Sequence, residues 1–305
     1  MISPDEITII IQGPVIENET KRVIDSIKKY LPAAQIILST WENSDTNNLN
    51  ATKIIKNHDP GSFFCDTDNN IQTNINRQLI STKNALPYVK TLYAMKLRSD
   101  LYFTSNKFLK YFDIYRKYDT HYKFFKGRLM VNSLTSKLYS DVGDNLPTPF
   151  HISDWFYFGY TEDVKKFFNA IPIIDDEKAF SHYKLKYLQK NPCPHLLFKY
   201  APEQYFSYMY FKSKFSNIHF DDWSDFNDEN IECSQKFIAN NFIILDTVQH
   251  GIYSNKHINL IKNNNGRKFK FKGYITHYKF LKLYKKYCDK KFIMPIQYWF
   301  DWGNR

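Results

Sequence analysis

The stretch whose residue types best suit chemistry is Tyr93–Thr104, which reads YAMKLRSDLYFT. An apolar run with strand character stops at Arg98-Ser99-Asp100, so a carboxylate follows the end of a predicted buried strand. In open α/β sheets the strand ends face the crevice in which ligands bind, which favours a functional role for Asp100. The structural alternative is a turn that the aspartate side chain stabilises.

Three further polar residues have similar settings. Asp154 precedes the apolar stretch WFYFG, Glu203 follows Pro202 at the start of a predicted helix, and His250 follows a late predicted strand. Each also has a structural explanation. Asp154 can stabilise a turn, Glu203 can interact with the dipole of its helix, and a single histidine is more often part of the core.

The elements that must position these residues follow the pattern of a parallel α/β sheet. Ile7–Gln12 is a β-branched run that ends at Gly13, residues 20–30 have apolar side chains at helical spacing, and Gln35–Thr40 is a second buried strand. A strand, a helix and a strand in this order predict a parallel βαβ unit. The predicted fold class is therefore α/β, with a mostly parallel, Rossmann-like sheet flanked by helices.

The same periodicity predicts further elements along the chain. Helices are predicted over Ile71–Leu86 and residues 105–120, from Thr161, within a variable insertion at 174–200, and from Pro202. Strands are predicted at Thr52–Ile55, Arg128–Val131, Asp154–Gly159 and Asn240–Asp246, and residues 57–70 are predicted to form a loop.

The formal net charge of +11 over 305 residues favours an anionic partner. Nucleic acid is disfavoured, because the sequence has no zinc-finger spacing and no helix-turn-helix or RNA-binding signature. The cysteines form no CxxC pair, which is typical of reduced thiols in a cytosolic protein. No signal peptide or membrane-span pattern is present, so we expect a cytoplasmic location. The four cysteines are Cys65, Cys193, Cys233 and Cys288.

The composition changes after residue 255. Residues 256–305 are rich in lysine and aromatic side chains, as in KFKFKGYITHYKFLKLYKKY. We therefore predict one domain over residues 1–255 and a basic extension over 256–305. Basic aromatic segments bind anionic membrane surfaces, with about 1 kcal/mol from each basic group. Packing of this extension on the core as a solvated lysine-rich face is the alternative.

Seven sequence blocks occur in an order that resembles a known family. The chain resembles the WavE-type lipopolysaccharide-synthesis family, whose members resemble GT-A glycosyltransferases of bacterial surface polysaccharide pathways. The likeness covers about residues 5–255 and leaves out the basic C-terminal segment. The blocks are IIIQGPV (Ile9–Val15), IILSTWENSD (Ile36–Asp45), NINRQLIST (Asn74–Thr82), MKLRSDLYFT (Met95–Thr104), HISDWFYFG (His151–Gly159), PEQY (Pro202–Tyr205) and NNFIILDTVQHGI (Asn240–Ile252).

The resemblance implies a GT-A-like fold and a nucleotide diphosphate sugar as donor. Such enzymes hold a divalent cation at an Asp-x-Asp-type motif, but this chain has Arg98-Ser99-Asp100 at that place, so one carboxylate remains. Mn²⁺ or Mg²⁺ on Asp100 with His250, and direct contact of Arg98 with phosphate, are both left open. The implied donor-binding residues are Gln12, Gly13, Glu42, Asp45, Arg77, Arg98, Ser99 and Asp100. The structural alternative is turn formation or surface exposure for Gln12, Gly13, Glu42 and Asp45, and a salt bridge on the helix surface for Arg77.

The resemblance also implies catalytic roles. Glu203 is the expected general base, Asp154 is expected to position the acceptor, and Trp155 is expected to contact the acceptor sugar. The expected reaction is an inverting transfer of a hexose, with UDP as the favoured nucleotide, to an oligosaccharide or lipid-linked glycan acceptor of lipopolysaccharide, lipooligosaccharide or capsule. The extension would hold the enzyme at the inner leaflet. The alternatives are a sugar-phosphate or nucleotidyl transferase and a non-catalytic module of an assembly complex.

Overall fold

The computed structural model describes residues 2–68, 70–140, 146–181, 198–223, 225–259 and 273–295. The strands are β1 (Ile7–Gln12), β2 (Gln35–Trp41), β3 (Lys53–Asn57), β4 (Phe63–Asp66), β5 (Ile71–Thr73), β6 (Tyr93–Arg98), β7 (Tyr102–Phe103), β8 (Leu129–Asn132), β9 (Phe156–Tyr160), β10 (Phe242–Leu245) and β11 (Ile252–Tyr253). The α-helices are α1 (Glu19–Tyr30), α2 (Ile75–Ala85), α3 (Thr161–Ala170), α4 (Glu177–Ser181), α5 (Pro202–Lys212), α6 (Asp228–Asn241), α7 (Thr247–His250) and α8 (His277–Tyr287).

A seven-stranded sheet with the order β10-β8-β9-β6-β1-β2-β3 forms the centre of the molecule. Strands β1, β2, β3 and β6 pair in parallel, as do β8 and β10, whereas β9 is antiparallel to both β6 and β8. Two short antiparallel pairs, β7 with β11 and β4 with β5, lie outside this sheet. The predicted α/β class with a mostly parallel sheet flanked by helices is confirmed.

The middle of the sheet is covered on both faces. All six residues of β1 are buried, and Ile9, Ile10 and Ile11 are fully inaccessible to solvent. A strand that is buried at every position, without alternation, is the pattern expected where helices cover both sides of a parallel sheet. Helix α2 packs on β1, β2 and β3, while α3 packs on β6 and β9.

Several predicted boundaries shift in the structure. The helix predicted from Ile71 begins at Ile75, because residues 71–73 instead form β5 and pair with β4 inside the predicted loop. The strand predicted from Asn240 begins at Phe242, because the two residues before it still belong to α6. The segment that follows α4, residues 182–197, lies outside the described residues.

The helix predicted over residues 105–120 is wrong. This segment contains only a short 3-10 helix at Lys107–Tyr111, and Asp113 has a φ of 56°. The buried guanidinium of Arg128 donates hydrogen bonds to the carbonyl groups of Tyr115 and Lys117. A distant side chain therefore satisfies backbone groups that a helix would have paired internally.

The described part of the C-terminal segment packs on the core through one helix. Phe280, Leu281 and Tyr284 of α8 are buried, and the helix packs against α6 and β10. Its first turn is capped by Thr276, whose hydroxyl accepts a hydrogen bond from the amide of Lys279. The proposed domain boundary at residue 255 stays a prediction. Among the described residues, no helix has the length and apolar character that crossing a membrane requires.

Candidate functional site

A cavity of about 340 Å³ opens at the carboxyl ends of β1, β2 and β6. This is the edge of the sheet where ligand sites of α/β folds form, and the volume is within the range of small-molecule pockets. The start of α2 forms another wall. The cavity is lined by Gln12, Gly13, Pro14, Ile16, Trp41, Asp59, Asn74, Arg77, Gln78, Arg98, Ser99, Asp100 and Lys256.

The floor of the cavity is the junction between the ends of β1 and β6. The amide of Ser99 donates to the carbonyl of Gln12 over 3.1 Å, and the side chain of Gln12 accepts from Ser81 of α2 over 3.1 Å. Gly13 has a φ of 118°, and a Cβ atom built there would lie 3.2 Å from Oγ of Ser99. Glycine at this position therefore allows β1 to turn tightly beneath the cavity.

Arg98 and Asp100 form a two-bond ion pair on the cavity wall. Nε and Nη2 of Arg98 donate to the two carboxylate oxygens of Asp100 over 2.9 and 2.7 Å. The Asp100 side chain is 6% exposed. Burial alone would raise the pKa of Asp100, but the charge and hydrogen bonds of Arg98, helped by His257 and Lys256, lower it overall. Asp100 is consequently an ionised partner that holds the Arg98 guanidinium in place.

The indole ring of Trp155 packs against the guanidinium of this ion pair. The guanidinium carbon of Arg98 lies 4.8 Å from the centre of the Trp155 ring, and the ring of His257 packs on the same indole at 4.4 Å. Nε2 of His257 is 3.3 Å from Nη2 of Arg98. Burial, followed by the charge of Arg98, lowers the pKa of His257 to about 4, so its ring is neutral at pH 7. Trp155 is 4% exposed and packs against Arg98, and its predicted contact with the acceptor sugar stays a prediction.

A second two-bond ion pair lies across the cavity. Nε and Nη2 of Arg77 donate to the carboxylate oxygens of Asp59, each over 2.6 Å. The Arg77 guanidinium also donates to the side chain of Asn74 over 3.0 Å. Both charged side chains remain about one third exposed, at 31% for Arg77 and 33% for Asp59. Arg77 thus lines the cavity, as its predicted donor-binding role requires, and it also forms the salt bridge that was the structural alternative.

Behind the cavity wall lies a buried polar network centred on Lys96 of β6. Its ammonium group donates to Oε1 of Gln78 over 2.9 Å and to the backbone carbonyl of Asp154. The amide nitrogen of Gln78 donates in turn to Oδ2 of Asp154. Burial lowers the pKa of Lys96 to about 7 in spite of the opposing charge of Asp154. Gln78 also lines the cavity, so it connects this network to the site.

The two predicted catalytic carboxylates differ in exposure. Asp154 is buried, and burial followed by the charge of Glu203 raises its pKa. Its second oxygen, Oδ1, has no hydrogen-bond partner among the described residues. Glu203 is half-buried in the first turn of α5, and its charge acts on both Asp154 and Lys96. Neither carboxylate lines the cavity directly, and their predicted roles stay predictions.

The residues predicted to hold a metal do not fit a divalent cation. Both oxygens of Asp100 accept hydrogen bonds from Arg98. His250 is buried between Phe108 and Phe156, at ring distances of 5.6 and 4.1 Å, and burial lowers its pKa to about 3. Within the described ranges, no group of three or more His, Cys, Asp or Glu side chains has a metal-binding arrangement.

The structure does not bring Glu42 and Asp45 to the cavity. Glu42 is 60% exposed and lies 3.7 Å from the His58 ring, and a carboxylate oxygen of Asp45 accepts the amide of Asn47 over 2.9 Å. From the end of β2, Trp41 reaches the cavity instead. Both acidic residues therefore have the surface and turn positions that were the structural alternative to donor binding.

Sequence reasoning missed several residues of the site. A visible signal existed for one of them, because Lys96 interrupts an otherwise apolar strand and has to find polar partners inside the protein. The others lie in a loop, on a helix or in the basic segment, where charged residues are ordinary. The missed residues are Asp59, Gln78, Lys96, Lys256 and His257.

Comparison with known proteins identifies a family. A sequence model of the WavE lipopolysaccharide synthesis family matches residues 7–305, and the match continues through the basic segment beyond residue 255. No curated protein matches the chain. Among solved structures, the crystal structure of HddC from Yersinia pseudotuberculosis complexed with GMP-PN aligns over 52% of this chain and 78% of its own, at 12% identity and a TM-score of 0.27. That likeness is too low to support any argument.

Proposed function

Because this chain belongs to the WavE lipopolysaccharide synthesis family, we propose that it is a glycosyltransferase that uses a nucleotide diphosphate sugar as donor. The proposed product is a glycan of the bacterial surface, and the proposed fold type is GT-A-like. UDP is the favoured nucleotide of the donor, and a hexose is the favoured group that is transferred. Inversion is the favoured outcome at the anomeric carbon.

The observation that carries this proposal is the cationic cavity at the carboxyl edge of the sheet. Arg77, Arg98 and Lys256 line it, against the two carboxylates Asp59 and Asp100. A nucleotide sugar brings a diphosphate with two negative charges, and guanidinium and ammonium groups are the side chains that bind such oxygens. The position of the cavity at the strand ends supports the same class of ligand.

The proposed reaction is a single displacement. A bond forms between the acceptor hydroxyl oxygen and the anomeric carbon, while the bond between that carbon and the diphosphate oxygen breaks. The nucleoside diphosphate leaves with the electron pair of the broken bond, and Glu203 takes the hydroxyl proton. Glu203 is favoured as the base because it is half-buried and so keeps contact with solvent, whereas Asp154 is buried and accepts a hydrogen bond from Gln78. Asp154 then positions the acceptor side of the site through Gln78.

Turnover of UDP-, GDP-, CMP- and TDP-sugars, with and without Mn²⁺, tests this proposal. We expect release of a nucleoside diphosphate from one donor, and a loss of about 10²- to 10⁴-fold in the Glu203→Gln variant. Glu229→Gln is the matched control, since Glu229 occupies the first turn of α6 as Glu203 occupies that of α5. Release of nucleoside monophosphate from a UDP-, GDP- or TDP-sugar would instead favour a sugar-phosphate transferase, and release of pyrophosphate from a nucleoside triphosphate and a sugar 1-phosphate would favour a nucleotidyl transferase. Absence of turnover together with absence of a thermal shift would contradict the transferase proposal.

We also propose that the exposed face of α8 binds the anionic cytoplasmic surface of the inner membrane. Lys282, Lys285 and Lys286 are exposed on a helix whose other face is buried, so they are free to meet a charged surface. Replacing all three by Glu should abolish co-sedimentation with phosphatidylglycerol vesicles and leave the melting temperature nearly unchanged. Unaltered co-sedimentation of the triple variant would refute the proposed surface.

A further inference from the structure

A segment that spans the predicted boundary at residue 255 reaches the cavity. Residues 251–257, which we name the strap, begin at Gly251, whose carbonyl accepts the amide of Thr104 over 2.7 Å. Strand β11 then pairs with β7, the strand that follows Arg98-Ser99-Asp100. This pairing fixes the path of the strap alongside the cavity wall.

Both neighbours of Lys256 in the strap are held by side-chain contacts. The amide of Asn255 donates to Oε1 of Glu19 over 2.7 Å, at the start of α1. On the other side, His257 packs on Trp155 at 4.4 Å and lies 3.3 Å from Nη2 of Arg98. Lys256 is therefore presented to the cavity by a backbone that is anchored at two points, rather than by a loose tail.

Lys256 itself is exposed and lines the cavity. It forms no ion pair with any residue in the part of the chain that the structure describes. Arg98 lines the same cavity and has a free hydrogen-bond donor. Its Nε and Nη2 donate to Asp100, whereas its Nη1 has no acceptor among the described residues. Two cationic side chains with free N–H donors, Arg98 and Lys256, thus line one cavity.

We propose that Lys256 and Arg98 together bind the diphosphate of the donor and neutralise the charge that develops on it as it leaves. This inference rests on the proposed transferase function and adds the strap to its donor site. A divalent cation commonly performs this task, and fixed Arg and Lys groups can perform it as well. Asp100 then serves as the counter-ion that orients Arg98, which explains why both of its oxygens are taken by the guanidinium.

Binding of inorganic pyrophosphate, measured by calorimetry in buffer with EDTA, tests the pair apart from any sugar. Wild-type protein should bind pyrophosphate, and Lys256→Gln should weaken this binding by about tenfold or more, as expected for loss of one charge-assisted contact. Lys28→Gln is the matched control: it removes the same charge from an exposed position in the last turn of α1 and should change the affinity less than twofold. Lys256 is exposed, so its variant should melt as the wild type does.

The inference would be overturned by an absence of pyrophosphate binding in the wild type, or by equal affinities in Lys256→Gln and Lys28→Gln. Failure of the transferase proposal looks different. In that case the pyrophosphate site is present and depends on Lys256, but no nucleotide sugar is consumed. Conversely, nucleotide-sugar turnover with the same KM and kcat in Lys256→Gln would keep the transferase and remove the role of Lys256.

Discussion

Replacing Asp100 by Asn removes the charge that holds Arg98 on the cavity wall. In the native protein two hydrogen bonds join these side chains, and exposure is only 6% for Asp100 and 21% for Arg98. Hydrogen bonds to charged groups contribute about 1.5–3 kcal/mol each, and breaking a buried ion pair costs about 3–5 kcal/mol. Since Arg98 keeps some contact with water, we expect Asp100→Asn to lower the free energy of unfolding by about 3 kcal/mol.

The chain contains its own control for the effect of burial. Arg77 and Asp59 have the same two-bond geometry, but their side chains are 31% and 33% exposed. Water and salt screen a pair of this kind, so we expect a coupling energy of about 1 kcal/mol or less. The coupling between Arg98 and Asp100 should be about 2 kcal/mol or more. Urea denaturation of the single and double variants, Arg98→Gln with Asp100→Asn and Arg77→Gln with Asp59→Asn, measures both couplings as double-mutant cycles.

The pH dependence of the free energy of unfolding is a second test of the Arg98–Asp100 pair. Because Arg98 outweighs burial and lowers the pKa of Asp100, the folded state holds the ionised form more firmly than the unfolded state does. Its stabilisation is therefore fully present above about pH 4, the unfolded pKa, and is lost as the pH falls through the lower folded pKa. The gap between wild type and Asp100→Asn should be constant from pH 5 to 8 and should shrink toward pH 3. A larger coupling at the exposed pair, or a gap that does not shrink in acid, would refute this reasoning.

Three other substitutions test the surroundings of the site. Gly13→Ala should lower the free energy of unfolding by about 1–3 kcal/mol in urea titrations, because φ is 118° and the new Cβ would lie 3.2 Å from Oγ of Ser99; an unchanged stability would contradict the strained turn. The folded pKa of Lys96, about 7, is below the unfolded value, so the unfolded chain binds more protons between about pH 7 and 10. The free energy of unfolding of the wild type should therefore rise over that interval relative to Lys96→Met. Parallel curves of unfolding free energy against pH for the two proteins would contradict this expectation. His250→Phe should keep the free energy of unfolding at pH 7, because the ring nitrogens of His250 lack partners among the described residues. The variant should also lose the decline in stability that protonation of His250 in the unfolded chain causes below about pH 6.5. A loss of metal binding in this variant would instead favour the metal role.

The sequence by itself determined the main elements of the sheet. The strands Ile7–Gln12, Gln35–Trp41 and Tyr93–Arg98 are mostly apolar, and their strand character does not depend on a particular partner. The βαβ order required β1 and β2 to be parallel. The same reasoning placed Gly13 and Arg98-Ser99-Asp100 at strand ends, and the structure brings these ends together at the edge where the carboxyl ends of parallel strands meet.

Local periodicity did not determine the conformation of residues 105–120. Their apolar spacing suits a helix, but the fold places the Arg128 guanidinium against the carbonyls of Tyr115 and Lys117. Burial of that cation requires carbonyl partners, and this demand outweighs helix propensity. Nor does the spacing of β9 reveal its direction, because a strand buried on both faces reads the same in either orientation.

Only the tertiary structure decided which charges meet at the cavity. Arg98 and Asp100 are two residues apart, so their pairing was within reach of local reasoning, whereas Lys96 finds the Asp154 carbonyl 58 residues away and Arg98 finds His257 at a separation of 159. Those contacts depend on the insertion of β9 beside β6 and on the pairing of β11 with β7. Strand order arises from packing of the whole chain, and residue type and spacing do not encode it locally. For this reason the sequence indicated only a basic C-terminal segment, while the fold placed Lys256 at the cavity.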